Sequence, residues 1–208
     1  MYISENLYIY FSLLNNNMEA SLSNAGATGR PTAGLFRPCA WVYQGAMRLA
    51  LYQPDQPPNT GTMLRMAACL DVAVDVIEPC GFPFSLRGLR RWGLDYLNHV
   101  SVHRHMDWPA FEGWRRQAGH RLVLLTTKAD LAYTKLIYRK DDILLVGQES
   151  AGVPAAVHDA ADARVVVPMA PALRSLNVAV AAAMVLGEAL RQTERFRHPA
   201  MPTEETVE

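Results

Sequence analysis

Asp142-Ile143-Leu144-Leu145-Val146-Gly147 and Arg121-Leu122-Val123-Leu124-Leu125-Thr126 decide the fold of this chain. Each holds four consecutive apolar residues closed by a turn-forming or polar residue. A strand with one wet face alternates apolar and polar side chains. These runs do not alternate, as expected of strands covered on both faces of a parallel sheet. Working outward, further apolar and β-branched runs lie at 48–52, 72–77, 99–103 and 164–167. Helical patterns fall between several of them, at Thr60–Leu70, Leu86–Tyr96, Asp107–Ala118 and Ser175–Thr193. In the last, Val178, Val180, Ala181, Met184, Val185 and Leu190 are apolar, and small alanines allow a neighbour to approach closely. Strand–helix alternation of this kind predicts an α/β fold, a mainly parallel sheet with helices on both faces. No internal repeat is visible.

A length of 208 residues suits one domain with tails, and 50% hydrophobic residues suffice for a sizeable core. The formal net charge is zero, so any nucleic-acid binding rests on local basic patches. Cys39, Cys69 and Cys80 form no CxxC pair and are odd in number, the pattern of reduced thiols in a cytoplasmic protein. No apolar run approaches the roughly 20 residues of a membrane span. The apolar stretch Leu7–Leu14 has no basic residue ahead of it, the first being Arg30, which argues against a secretory signal. Residues 1–46 are rich in Asn, Ser, Ala and Gly and lack a sustained period. They are expected to be an extension, flexible or locally helical, or an upstream translation artefact with Met47 the functional start. The domain is expected over 47–194, followed by a disordered polar tail over 195–208.

Three segments carry candidate chemistry, each at a strand end or a helix start, where open α/β sheets bind ligands. In Gln53–Arg65 a proline-rich turn leads to Asn59 or Thr60 as a helix cap. The plain reading is a cap and a solvated Arg65; the functional one sets Asn59 and Arg65 together at the helix start, facing a ribose-phosphate. In Gly147-Gln148-Glu149-Ser150-Ala151-Gly152-Val153-Pro154 a buried strand enters a loop whose two glycines permit close backbone approach to a ligand. Its spacing is not the dinucleotide-binding G-x-G-x-x-G. In Val165–Ala181 a strand stops at Pro168, and Ser175 is placed to cap the final helix. Asn177 has no capping duty in that reading, and the helix start suits an anionic group.

Together these segments resemble the signature motifs of the SPOUT methyltransferases, most nearly the small branch acting on the 2′-hydroxyl of the tRNA wobble cytidine or uridine. The resemblance runs in order through Pro57-Pro58-Asn59-Thr60-Gly61-Thr62 to Arg65, Ile77-Glu78-Pro79-Cys80-Gly81-Phe82, Gly93-Leu94-Asp95-Tyr96, Leu125-Thr126-Thr127-Lys128, Gly147 to Pro154, and Arg174-Ser175-Leu176-Asn177-Val178. It spans about residues 47–193; no counterpart of 1–46 is identified. One departure is Ala179, where the family often has Ser or Asn.

The resemblance implies a C-terminal trefoil knot, a feature no periodicity reveals. It also implies S-adenosyl-L-methionine as cofactor. Leu125, Thr126, Gly147, Glu149, Gly152, Val167 and Ser175 would line its pocket. Arg65, Asn59, Ser175 and Asn177 would form the catalytic set, Arg65 holding a phosphate and stabilising the developing alkoxide. Glu149 would order the loop or pair with an arginine. A homodimer, a tRNA anticodon-loop substrate and a cytoplasmic location follow as further expectations. Candidate RNA contacts are Arg87, Arg90 and Arg91; Arg115 and Arg116; and Lys135, Arg139 and Lys140, each also readable as a solvated face. His99, His103 and His105 lack a completing carboxylate or cysteine, so no metal site is expected. The alternatives are a ribosomal-RNA ribose methyltransferase of the same superfamily, for which 1–46 is short and polar as an added RNA-binding domain, and a non-catalytic RNA-binding protein retaining the fold. A Rossmann nucleotide enzyme lacks its early glycine fingerprint.

Overall fold

The computed structural model describes residues 46–196, so the expectations for the N-terminal extension and the tail fall almost wholly outside the described residues. Six strands form one parallel sheet: β1 (Arg48–Tyr52), β2 (Ala73–Ile77), β3 (Val102–His105), β4 (Leu122–Leu125), β5 (Ile143–Val146) and β6 (Ala163–Val165). Their spatial order is β3-β2-β1-β5-β4-β6. The two all-apolar runs are the interior strands β4 and β5, each paired on both sides. The polar strand Val102-His103-Arg104-His105 occupies an edge, paired only with β2. Sequence order moves outward from β1 to β3, then returns on the other side of β1. The β1/β5 boundary is therefore the switch point at whose carboxyl side ligands are expected.

Among the described residues five α-helices cover the sheet: α1 (Pro57–Cys69), α2 (Leu86–Gly93), α3 (Trp108–Ala118), α4 (Ala155–Ala160) and α5 (Val178–Gln192). On one face Leu49, Leu51, Val74, Val76, Leu144 and Val146 pack against Leu64 of α1, Leu89 of α2 and Val185 and Leu186 of α5. On the other, Ala50, Leu122, Leu124, Ile143 and Leu145 pack with Phe111 of α3 and Val157 of α4. Adjacent residues of one strand thus enter opposite cores, which is why β4 and β5 lack alternation.

The helix boundaries correct several expectations. α1 starts at Pro57 with Gln56 as N-cap, not at Asn59 or Thr60, because proline needs no amide partner in the first turn. The α2 pattern ends in a 3₁₀ turn, Leu94–Asn98, which displaces the strand expected at 99–103 to 102–105. α5 starts at Val178 with Asn177, not Ser175, as cap. α4, only six residues long, starts directly after Pro154, a residue suited to a helix start. Ser85 and Asp107 cap α2 and α3 through bonds to Gly88 N at 3.0 Å and Ala110 N at 2.8 Å.

A charged cluster crosses the β1–β2–β3 side. Arg48 donates to Asp75 through Nε at 2.6 Å and Nη2 at 3.1 Å, and His105 Nε2 lies 2.9 Å from Asp75 Oδ1. The Arg48 guanidinium lies 5.1 Å from the Trp114 ring centre. His103 and His105 lie on the edge strand β3, where His105 is the inward partner of a buried carboxylate. Burial alone would raise the Asp75 carboxyl; hydrogen bonds from His105 and Arg48 and the Arg48 charge overcome it and hold the group below its usual range. Asp75→Ala is expected to cost about 3–5 kcal/mol in denaturant unfolding, because a buried guanidinium is left unpaired. With the folded pKa depressed, the parental contribution is present above the unfolded carboxyl value of about 3.9 and is lost as pH falls below it.

Candidate active site

The carboxyl ends of β4, β5 and β6 open onto a cleft of about 500 Å³, a size suited to a nucleoside-bearing ligand. Leu125 and Thr126 reach it from the end of β4, Gly147, Glu149 and Gly152 from the loop after β5, and Val167 and Ser175 from the segment after β6. All seven residues expected around the cofactor therefore line one cavity, although β4 and α5 are distant in sequence. Its walls also include Val146, Val165 and Leu176. His158, on α4, lines it too; its Nε2 is the only buried side-chain polar atom among the described residues without a hydrogen-bond partner. Apolar strand ends beside polar loop residues fit a bound adenosyl group.

The loop after β5 is shaped by its own backbone. Gln148 and Gly152 exchange two hydrogen bonds, at 2.9 and 2.8 Å. A Cβ on Gly147 would lie 2.6 Å from the Gly152 carbonyl carbon, and Gly152 has φ +69°. The close backbone approach requires glycine at 147, and the positive φ favours it at 152, demands additional to ligand approach.

Beside the cleft, three polar side chains from three segments form a directed hydrogen-bond chain. Asn177 Oδ1 accepts from Ala179 N at 2.9 Å and Val180 N at 3.3 Å, capping α5. Its amide nitrogen therefore faces away and donates to Asn59 Oδ1 at 2.9 Å. Asn59 Nδ2 in turn donates to Glu149 Oε2. A carboxylate only accepts, so the direction of the whole chain is fixed from the helix amides to Glu149. The capping duty denied to Asn177 in the sequence is its principal local role. The partner of Glu149 is an asparagine, not an arginine. Gly147 and Glu149 line both the cleft and the small recess that holds Asn59.

Arg65 is not joined to this chain. It lies in the third turn of α1, exposed, its guanidinium 4.7 Å from the Tyr96 ring centre. The expectation that Asn59 and Arg65 stand together at the helix start is corrected: six residues separate them, about 9 Å along the axis and on different faces. Ser175 is exposed at the cleft edge, without the expected capping bond. Tyr96 and Asp55 were not singled out from sequence. Tyr96 sits in the Gly93–Tyr96 motif, and Asp55 was hidden in a proline-rich turn.

The basic clusters divide. Arg115 is buried and bound to Glu112 and Asp162, and Arg116 to Glu112. By contrast, Arg87, Arg90 and Arg91 are exposed on α2; Arg90 donates to Asn98 at 3.1 Å, and none of the three pairs with a carboxylate among the described residues. Lys135, Arg139 and Lys140 are also exposed. Among the described residues no group of three or more His, Cys, Asp or Glu side chains could hold a metal, and no helix is long and apolar enough to cross a membrane.

The model of the SpoU rRNA Methylase family matches residues 46–187. A curated relative from Beijerinckia indica, named tRNA (cytidine(34)-2′-O)-methyltransferase, is 64% identical over 144 residues, covering 69% of this chain and 90% of that protein. A solved structure described as "Structural insights into the 2-OH methylation of C/U34 on tRNA" superposes with a TM-score of 0.68 at 35% identity, covering 73% of this chain and 98% of the other. An AdoMet-bound rRNA methyltransferase from Sinorhizobium meliloti superposes with a TM-score of 0.65 at 30% identity, covering 71% of this chain and 56% of its own. With the matched region spanning the sheet, the cleft and the Asn59–Glu149–Asn177 chain, this protein belongs to the SpoU rRNA Methylase family.

Proposed function

We propose that the protein transfers a methyl group from S-adenosyl-L-methionine to the ribose 2′-hydroxyl of the wobble nucleotide of tRNA, cytidine or modified uridine at position 34. The observation that carries the reading is the convergence of three strand ends on one nucleoside-sized cleft whose loop, through Glu149, contacts the Asn59 segment. The names of the similar proteins supply the substrate class.

When bound, S-adenosylmethionine supplies an electrophilic sulfonium methyl group. Leu125, Val167 and the backbone of Gly147 and Gly152 would hold its adenosyl group, with Ser175 at the cleft edge. Asn59 and Asn177 each retain a second N–H, and Glu149 a second oxygen, with which to orient a ribose hydroxyl. Fixing that hydroxyl before reaction replaces lost entropy, an effect of roughly 7–11 kcal/mol in favourable cases. Arg65, a permanent cation, holds the substrate phosphate and stabilises the oxygen as negative charge develops there. It is not the base.

We extend the proposal to three finer points. The segment after β6 threads a trefoil knot, supported by its sharing the cleft with the loops after β4 and β5. A second copy covers the apolar residues Val180 and Met184 of α5 with Leu176 just before it, which are 49%, 38% and 39% exposed. A cytoplasmic location follows from the proposed substrate.

Methyl transfer tests the reading. Purified protein given labelled donor should label a tRNA transcript carrying cytidine at position 34. It should fail to label the same molecule built with 2′-deoxycytidine there; labelling of both sinks the ribose assignment. The unpaired arginines of α2 are the proposed phosphate contacts. Reversing Arg87, Arg90 and Arg91 together to Glu is expected to weaken tRNA binding by at least about 10²-fold at low salt. The slope of log affinity against log salt should fall by about 2–3. Filter binding with parental affinity would remove α2 from the interface.

A further inference from the structure

Asp55 stands one residue ahead of the Gln56 cap of α1, where an acidic side chain ordinarily serves the positive end of its own helix. Its carboxylate instead reaches the loop after β5. Oδ1 accepts from Glu149 N at 3.1 Å, Oδ2 accepts from Ser150 N at 3.1 Å, and Oδ2 also accepts from the Ser150 hydroxyl. The Asp55 backbone has no room to retreat: Gly81 N donates to Pro54 O at 3.0 Å, and a Cβ on Gly81 would lie 3.0 Å from Asp55 Cα. Burial favours the protonated acid, but the Ser150 hydroxyl and the two amides prevail and hold the Asp55 carboxyl below its usual range, so it is charged when it grips the loop. Two successive amides of Glu149 and Ser150 are thereby aimed at a fixed anion outside the cleft.

We infer that Asp55 is a positioning residue of the methyl-transfer site: its carboxylate fixes the Gly147–Gly152 loop so that the donor-binding wall is formed, and Glu149 faces Asn59, before the donor arrives. The inference rests on the function proposed above. A helix-end charge would act on α1 alone. Asp55 couples the segment that carries Asn59 to the loop that carries Glu149, across 94 positions of sequence. Loss of the anchor makes the donor order the loop itself, so the deficit appears in donor affinity.

Asp55→Asn is the direct test. The amide keeps the size but turns one acceptor into a donor facing an N–H. Calorimetry with S-adenosylhomocysteine is expected to show about tenfold weaker binding, with the melting temperature little changed and tRNA affinity at the parental value. In steady state the KM for the donor should rise more than the KM for tRNA, and Asp55→Glu should restore part of the loss. Ser150→Ala should weaken S-adenosylhomocysteine binding about threefold in the parental protein and add little in Asp55→Asn, because the charged partner of the hydroxyl is already gone. Parental affinity in Asp55→Asn overturns the inference, as does an equal Ser150→Ala effect in both backgrounds, or a lowered melting temperature at unchanged donor affinity. If Asp55→Asn does not fold, Ser150→Ala decides alone, and parental affinity there overturns it. A parental protein that methylates no tRNA, with the binding losses still observed, defeats the proposed function and leaves the role of Asp55 standing.

Discussion

Arg65→Ala is expected to lower the single-turnover rate of methyl transfer by about 10²–10³-fold, the scale of losing one charge-stabilising group at a reacting oxygen. S-adenosylhomocysteine affinity, measured by calorimetry, should stay at the parental value, because Arg65 does not line the donor cleft. The side chain is exposed and has no carboxylate partner among the described residues, so its charge is available to a phosphate. Its position over Tyr96 limits the orientations of the guanidinium in advance while the side chain stays exposed. Arg65→Lys keeps the charge but loses the fork, and should fall between the two. An Arg65→Ala protein that methylates at close to the parental rate contradicts the role given to this residue.

Gly147→Ala should abolish measurable donor binding, a loss of more than about 10²-fold, for a different reason. The added Cβ would meet Gly152 C, O and Cα at 2.6, 2.7 and 2.9 Å. These are backbone atoms held by the paired Gln148–Gly152 hydrogen bonds, so neither side can turn away. The loop must open, carrying Glu149 from Asn59 and breaking the cleft wall. β5 ends one residue earlier, at Val146, so the sheet should survive with a stability loss of about 1–3 kcal/mol. Gly152→Ala is the informative contrast. Its Cβ would meet nothing within 4 Å, and only the positive φ is penalised, by about 1–2 kcal/mol. That variant should still bind donor. Equal affinity in Gly147→Ala and the parent would show that the loop is looser than its geometry implies.

These contrasts indicate what the sequence could and could not disclose. Leu122–Leu125 and Ile143–Val146 announce interior strands because every side chain is apolar, and burial on both faces demands that. The motif loops were legible because Gly, Pro and Asn have few local uses. The start of α1 was misread because Pro57-Pro58 looks like a breaker, although proline is well placed in a first helical turn. Ser175 and Asn177 were exchanged as caps because both residue types cap well, and only the path of the preceding loop selects between them. Asp55 with Ser150, and Asp75 with Arg48 and His105, are pairings across 95, 27 and 30 positions. No local pattern encodes such partners; they exist only once the sheet order is set. The distinction between paired Arg115 and unpaired Arg91 is of the same kind.

A structure of the protein bound to S-adenosylhomocysteine tests the central claim most directly. The account predicts the ligand between the Gly147–Gly152 loop and Ser175, with Leu125 and Val167 against it and the Asn59–Glu149–Asn177 chain at its border. A ligand on the β2–β3 side of the sheet, or one lying on the exposed surface of α2, would contradict it.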